Sequence, residues 1–258
     1  KYFDKETALL IKNKYGLFDL ITINNLLANI DNVNDFIEAA KTVLSPNGVI
    51  IIESAYLGHM MKINMFDFIY HEHLSYFSIL PLVKFFNRFN MHLIHLQRVE
   101  TKGGSLRYFL AKKDSKWISN ESVKELSSIE AKADIGPYIF KKFEHKINDI
   151  KKQLTDFLEK NQFTKIVGYG ASATSTTLIS HFNLQNFISY LVDDNLDKVN
   201  TFSPGFHIPV RDISFLKKDR PDLIIIIAWR FEDDILEKLS FYKGIIVVPL
   251  PYFKELKK

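Results

Sequence analysis

The sequence predicts an α/β protein made of two successive strand-helix-strand units. Two observations carry that prediction. Short β-branched runs alternate with helical periods, first at Phe18-Asp19-Leu20-Ile21-Thr22-Ile23 and Val49-Ile50-Ile51-Ile52-Glu53, later at Lys165-Ile166-Val167, Ile188 to Val192 and Leu223 to Ile227. Short apolar runs bounded by turn residues mark buried parallel strands. Between the two sets, residues 114–161 lack such runs and carry lysine and glutamate around apolar residues at helical spacing. The expected boundaries are therefore 1–113 for the first unit, 114–161 for connecting helices and 162–258 for the second unit.

In order, residues 6–14 read as an amphipathic helix ending at Tyr15-Gly16, where glycine can take a left-handed cap. The run 18–23 reads as a buried parallel strand. Asn24 to Asn29 follow at its carboxyl end, where open α/β sheets bind ligands. Residues 31–44 fit a helix with Asp31 as N-cap and Val33, Phe36, Ile37, Ala40, Val43 and Leu44 on one face. Ser45-Pro46-Asn47-Gly48 reads as a turn before the strand 49–53, and residues 55–64 as a link. A helix over 79–89 precedes strands over 91–99 and 105–112, joined by a turn at 100–104. Gly103-Gly104 is expected to let backbone approach a neighbour closely, and Arg107 to hold either an anion or an internal carboxylate.

In the connecting region, Ile139, Phe140, Phe143, Ile147, Ile150, Leu154, Phe157 and Leu158 keep helical spacing, the charged faces read as solvated, and Gly136-Pro137 interrupts. The second unit opens with Gly168-Tyr169-Gly170-Ala171, a strand running into a glycine turn and a helix. Thr174 departs from the full dinucleotide fingerprint. Asp193-Asp194 at the end of the next strand would suit a ribose. A helix over 232–239 and a strand over 245–248 complete the reading.

Apolar residues are 47% and charged residues 25%, the balance of a globular protein, and the net charge is a mild +4. The lysines are scattered, so nucleic acid is not indicated, whereas an anionic small substrate is compatible. With no cysteine, disulfide and thiolate chemistry are absent, consistent with a cytoplasmic location. The longest apolar run, residues 223–229, is far short of the roughly 20 residues that span a bilayer, so no membrane partner is expected. Nothing reads as a signal peptide. The chain begins at Lys1, close to a helical pattern, and is expected to be the C-terminal part of a longer product. Phenylalanine and tyrosine are plentiful, yet no stripe marks a partner surface, and the oligomeric state is not fixed by the sequence.

The chemistry concentrates in residues 65–78, Met65-Phe66-Asp67-Phe68-Ile69-Tyr70-His71-Glu72-His73-Leu74-Ser75-Tyr76-Phe77-Ser78. Histidine titrates near neutrality, a neighbouring carboxylate can orient an imidazole, and tyrosine can donate to a developing oxyanion, which points to proton abstraction. The alternative is an aromatic core loop whose histidines are satisfied by backbone. His-x-His lacks a third ligand nearby, so no metal is assigned. This stretch, with Gly103-Gly104-Ser105-Leu106-Arg107, resembles the sugar C-methyltransferases, which use S-adenosylmethionine to methylate a carbon of a nucleotide-linked keto-deoxysugar. The resemblance resumes at Gly168-Tyr169-Gly170-Ala171, Asp193-Asp194-Asn195, Ser203-Pro204-Gly205, His207-Ile208-Pro209, Pro221-Asp222 and Ala228-Trp229.

The resemblance implies the C-terminal half of a class I methyltransferase sheet followed by a Rossmann-like α/β domain that is not an NAD site. It implies His73 as general base, Glu72 as its orienter or partner, and Tyr70 at an enolate oxygen. Asn25, Asn29, Tyr76, Ser105 and Arg107 are then expected to contact substrate, and Asn24 the cofactor. The substrate would be a nucleotide-linked 4-keto-deoxysugar methylated at C3. In the family a zinc-binding cysteine domain and a glycine-rich cofactor turn come first, and neither is among these residues, so the isolated chain is expected to bind S-adenosylmethionine poorly. Where the family has histidine, this chain has Asn29, and it has Ala55-Tyr56, Thr174-Ser175 and Ala228-Trp229-Arg230 for Pro-Tyr, Lys-Gly and Pro-Trp-Asn. These departures leave open a second reading, a noncatalytic relative that binds nucleotide sugar or serves as a scaffold.

Overall fold

The computed structural model describes residues 1–133 and 135–257 and divides the chain into two compact units. The first comprises Lys1–Met60 with His71–Ile139; the second takes Met61–Tyr70 together with the chain from Phe140 onward.

In the first unit, helix α1 (Lys5–Tyr15) is capped by Asp4, whose carboxylate accepts from Thr7 N at 2.8 Å. Gly16 has φ +81° but ψ −153°, so the chain leaves extended and not through the expected left-handed cap. Strand β1 (Phe18–Asn24) leads through a 3-10 turn at Leu27–Asn29 to α2 (Val33–Val43). Asn32 caps that helix by accepting from Asp35 N at 3.1 Å. It displaces the expected Asp31 because only the residue one position before the first turn can reach that amide.

Strand β2 (Leu44–Ala55) pairs with β1 in parallel. The expected turn at 45–48 lies inside it as a bulge: Leu44 stands opposite Phe18 and Val49 opposite Leu20. Ser45 Oγ holds the bulge by donating to Asp19 Oδ1 at 2.6 Å. Helix α3 (Leu57–Lys62) occupies part of the expected link, followed by α4 (Ile79–Arg88), β3 (Met91–Val99), β4 (Ser105–Lys112) and α5 (Glu121–Ala133).

The sheet runs β1-β2-β4-β3, with β4 antiparallel to both neighbours. Its core joins Phe36, Ile37 and Ala40 of α2 to Ile50 and Ile52 of β2, Ile79, Leu82 and Phe86 of α4, and Leu93, Tyr108 and Leu110 of the hairpin. Strand β1 is parallel to β2 as expected, and the expected burial holds for Ile23 on one face, while Phe18 and Leu20 on the other face are exposed.

Helix α4 starts at Ser78 without a side-chain cap of its own. Glu130 of α5 replaces it, accepting from Ile79 N at 2.8 Å, Leu80 N at 2.6 Å and Tyr56 Oη at 3.0 Å. A carboxylate at a helix N-terminus satisfies orphan amides and opposes the positive end of the helix dipole.

The second unit draws on α6 (Pro137–Asn161), which buries Ile147, Ile150, Leu154 and Leu158 along one stripe. There follow β5 (Ile166–Tyr169), α7 (Ala173–Phe182), β6 (Ile188–Val192), β7 (Val210–Arg211), α8 (Phe215–Asp219), β8 (Leu223–Ile226), α9 (Glu232–Lys238), β9 (Ile245–Val248) and β10 (Lys254–Lys257). The sheet order is β10-β9-β8-β5-β6-β7, parallel except for β10. Strand order thus reverses at β5, a Rossmann-like topology. Gly170 at the end of β5 has φ +116°, and a Cβ there would meet that of Ala228 at 2.7 Å. Among the described residues no helix is long and apolar enough to cross a membrane.

Candidate active site

In the first unit, the carboxyl ends of β1 and β2 and the start of β4 share one end of the sheet. Asn24, Glu53, Arg107 and Gln97 form one row across the four strands. Asn25 comes next with φ +52°, its N–H donating to Glu53 O at 2.8 Å. Asn24 is exposed and Asn25 half-buried, and the Oδ1 of Asn29 is buried without a hydrogen-bond partner among the described residues.

Glu53 organises this end. Its carboxylate accepts from Arg107 Nε at 2.7 Å and Thr101 Oγ1 at 2.8 Å. Burial raises its pKa, but the bonds from Arg107 and Thr101 and the nearby positive charges outweigh that, holding it below the usual carboxylate range. Of the two roles open for Arg107, the structure contains the internal ion pair. Its side chain is still 40% exposed, which leaves guanidinium surface for a ligand. The signal for Glu53 was a carboxylate closing an otherwise apolar strand.

The histidine stretch reaches this end by backbone bonds. Leu74 N and Ser75 N both donate to Ala28 O, at 2.8 and 3.2 Å, and Phe77 bridges to Tyr56 just beyond β2. His73 and Tyr76 are half-buried, their rings edge-to-face at 6.1 Å. Glu72 is exposed, with Oε1 3.9 Å from His71 Nε2, so it is not the buried carboxylate that most strongly perturbs an imidazole. Ser105 is buried at the start of β4, donating to Thr101 O. Backbone bonds thus tie the residues after His73 to the turn that follows Asn24 and Asn25, while Ser105 and Arg107 lie on β4.

Tyr70 belongs to the second unit, as the last residue of Met61–Tyr70. That segment is held at several points. Asn64 Nδ2 donates to Pro251 O at 2.9 Å, Phe66 packs on His181 and Phe182, and Thr177 Oγ1 donates to Ile69 O at 3.0 Å. Asp67, wholly buried, accepts at Oδ2 from Arg230 Nη1 at 2.8 Å and Trp229 Nε1 at 3.0 Å, while Oδ1 has no hydrogen-bond partner among the described residues. Burial raises its pKa against the lowering influence of Arg230 and Trp229. Sequence reasoning quoted Asp67, Trp229 and Arg230 separately, because 162 and 163 positions separate the partners.

The acidic pair expected to suit a ribose is engaged internally. Asp193 accepts from Ala171 N at 2.7 Å and pairs with Lys198, and Asp194 accepts from Tyr169 Oη at 2.7 Å and pairs with Lys238.

Residues 3–96 match the methyltransferase domain, and residues 100–251, more than half of the chain, match the C-methyltransferase C-terminal domain. The chain belongs to the C-methyltransferases. The C-methyltransferase NovU of Streptomyces niveus is 24% identical over 256 residues, covering 96% of this chain. The chain spans 61% of NovU's length.

Proposed function

We propose that the protein is an S-adenosylmethionine-dependent C-methyltransferase acting on a nucleotide-linked 4-keto-deoxysugar in the cytoplasm. The observation that supports this reading is the pair of bonds that Leu74 and Ser75, next to His73 in the chain, donate to Ala28 in the turn after β1, within the matched domain. When bound, S-adenosylmethionine supplies an electrophilic methyl group. The exposed carboxamide of Asn24, at the ligand-binding end of a parallel strand, fits a role against that cofactor.

His73 removes the proton from C3, beside the C4 ketone, and carries it on the imidazole. Tyr70, three positions earlier in the chain, donates to the enolate oxygen as charge collects there, and Glu72 assists the imidazolium. Asn25, Asn29, Tyr76, Ser105 and the exposed part of Arg107 orient the sugar, so that the carbanion is presented in line.

His73→Asn in the full-length natural protein tests the assignment. Methyl transfer should fall by about 10² to 10⁴ with an unchanged circular dichroism spectrum. Turnover within a few-fold of the parent enzyme would remove His73 from the role of base.

A further inference from the structure

A cavity of about 510 Å³ opens in the first unit between His59, Arg98, Val99, Glu100, Gly103, Gly104 and Ser105. That volume lies within the range of small-molecule sites. Ala55, Ser105 and Val99 form a row across β2, β4 and β3, two residues beyond the row of Glu53 and Arg107. The cavity therefore lies about 7 Å further along the strands than the carboxylate anchor, at the same sheet end as Asn24 and Arg107.

Its chemistry is specific. Arg98 is exposed, and among the described residues its guanidinium has no carboxylate in ion-pair range. It stands 5.5 Å over the ring of Tyr56, which the bond from Tyr56 Oη to buried Glu130 holds in place. The cation is thus pre-oriented on an aromatic platform, leaving a planar fork suited to phosphate oxygens. The His59 ring closes another side. It lies so near the backbone that a Cβ on Gly104 would come within 2.3 Å of it. Glu100 adds a carboxylate that a purely anionic ligand would not call for, but that can accept from sugar hydroxyls.

We propose that this cavity is the diphosphate subsite for a nucleotide-linked sugar, with Arg98 gripping phosphate oxygens, His59 lining the pocket and Glu100 accepting from a hydroxyl. The assignment rests on the methyltransferase reading for its choice of ligand, whereas the anion chemistry stands on the cavity alone.

The experiment is calorimetric titration of the full-length natural protein with inorganic pyrophosphate, uridine diphosphate and UDP-glucose, for the parent and for Arg98→Gln, Arg98→Lys and Glu100→Gln. Arg98→Gln should weaken all three by about ten- to a hundredfold, with Arg98→Lys intermediate. Glu100→Gln should weaken UDP-glucose while leaving pyrophosphate as tight or tighter. Because Arg98 and Glu100 are exposed, the melting temperatures of these variants should remain near that of the parent. Affinities indifferent to Arg98 would overturn the subsite. Uridine diphosphate binding no better than pyrophosphate would reduce it to a free-phosphate pocket and overturn the sugar-nucleotide assignment. Methyl transfer is assayed separately. Its absence alongside Arg98-dependent binding would sink the methyltransferase reading and leave the subsite standing.

Discussion

Arg230 neutralises a carboxylate that water does not reach, so its worth is best judged by removing it. In Arg230→Met, Asp67 keeps the Trp229 bond and loses its cation, and unfolding stability should drop by about 3 to 5 kcal/mol, measured by urea titration with Trp229 fluorescence. The pH dependence has a definite sign. Asp67 already has a raised pKa, through burial first and despite Arg230, and losing the guanidinium raises it further. The folded state then holds its proton at a higher pH than the unfolded chain does. The deficit should be smallest at acidic pH and grow as pH rises through the folded pKa. A flat profile would show that Arg230 does not influence the protonation of Asp67. Gly104→Ala is the second test at this scale. With φ +114° and the His59 ring in the way, a melting temperature equivalent to a loss of about 1 to 3 kcal/mol is expected.

Among the elements, α4 depends on a cap borrowed from α5. Glu130→Gln keeps the shape but loses the charge and one acceptor oxygen facing Ile79, Leu80 and Tyr56, and a loss of about 3 kcal/mol by thermal unfolding is expected. A change under 0.5 kcal/mol would return α4 to capping by solvent. The strands were legible because β-branched runs are buried where a sheet forms, 223–227 on both faces and 49–53 on one, with its other face partly covered. The exposure of one face of β1 was not legible, since runs of similar composition pack one face or two. Nor was the burial of Glu130, since a helical pattern of charges looks the same whether one carboxylate meets water or a neighbouring helix end. Strand β10 escaped because Lys254-Glu255-Leu256-Lys257 carries little apolar signal. At the candidate site, the family pattern singled out residues 65–78, while the bonds anchoring that stretch, from Ala28 and from Arg230, join residues too far apart in sequence to be paired by inspection.

For the molecule as a whole, each unit has its own sheet, so amide exchange should show two protected blocks. One lies in β2 and β4 around Ile50, Ile52, Tyr108 and Leu110, the other in β5 and β8 around Val167, Ile224 and Ile225. Arg230→Met should speed exchange in the second block, and equal loss in both would mean that the blocks open together. The second unit is also discontinuous, claiming ten residues from within the first stretch of chain. On the ribosome this becomes a matter of time. Asp67 emerges 163 residues before Arg230, which at translation rates of 5 to 20 residues per second is a wait of roughly ten to thirty seconds. During that interval the first sheet can assemble while the segment carrying Tyr70 still awaits its anchors. A chain released before that point would leave the Asp67 carboxylate without its cation, so the segment Met61–Tyr70 is fully held only once Arg230 has been made.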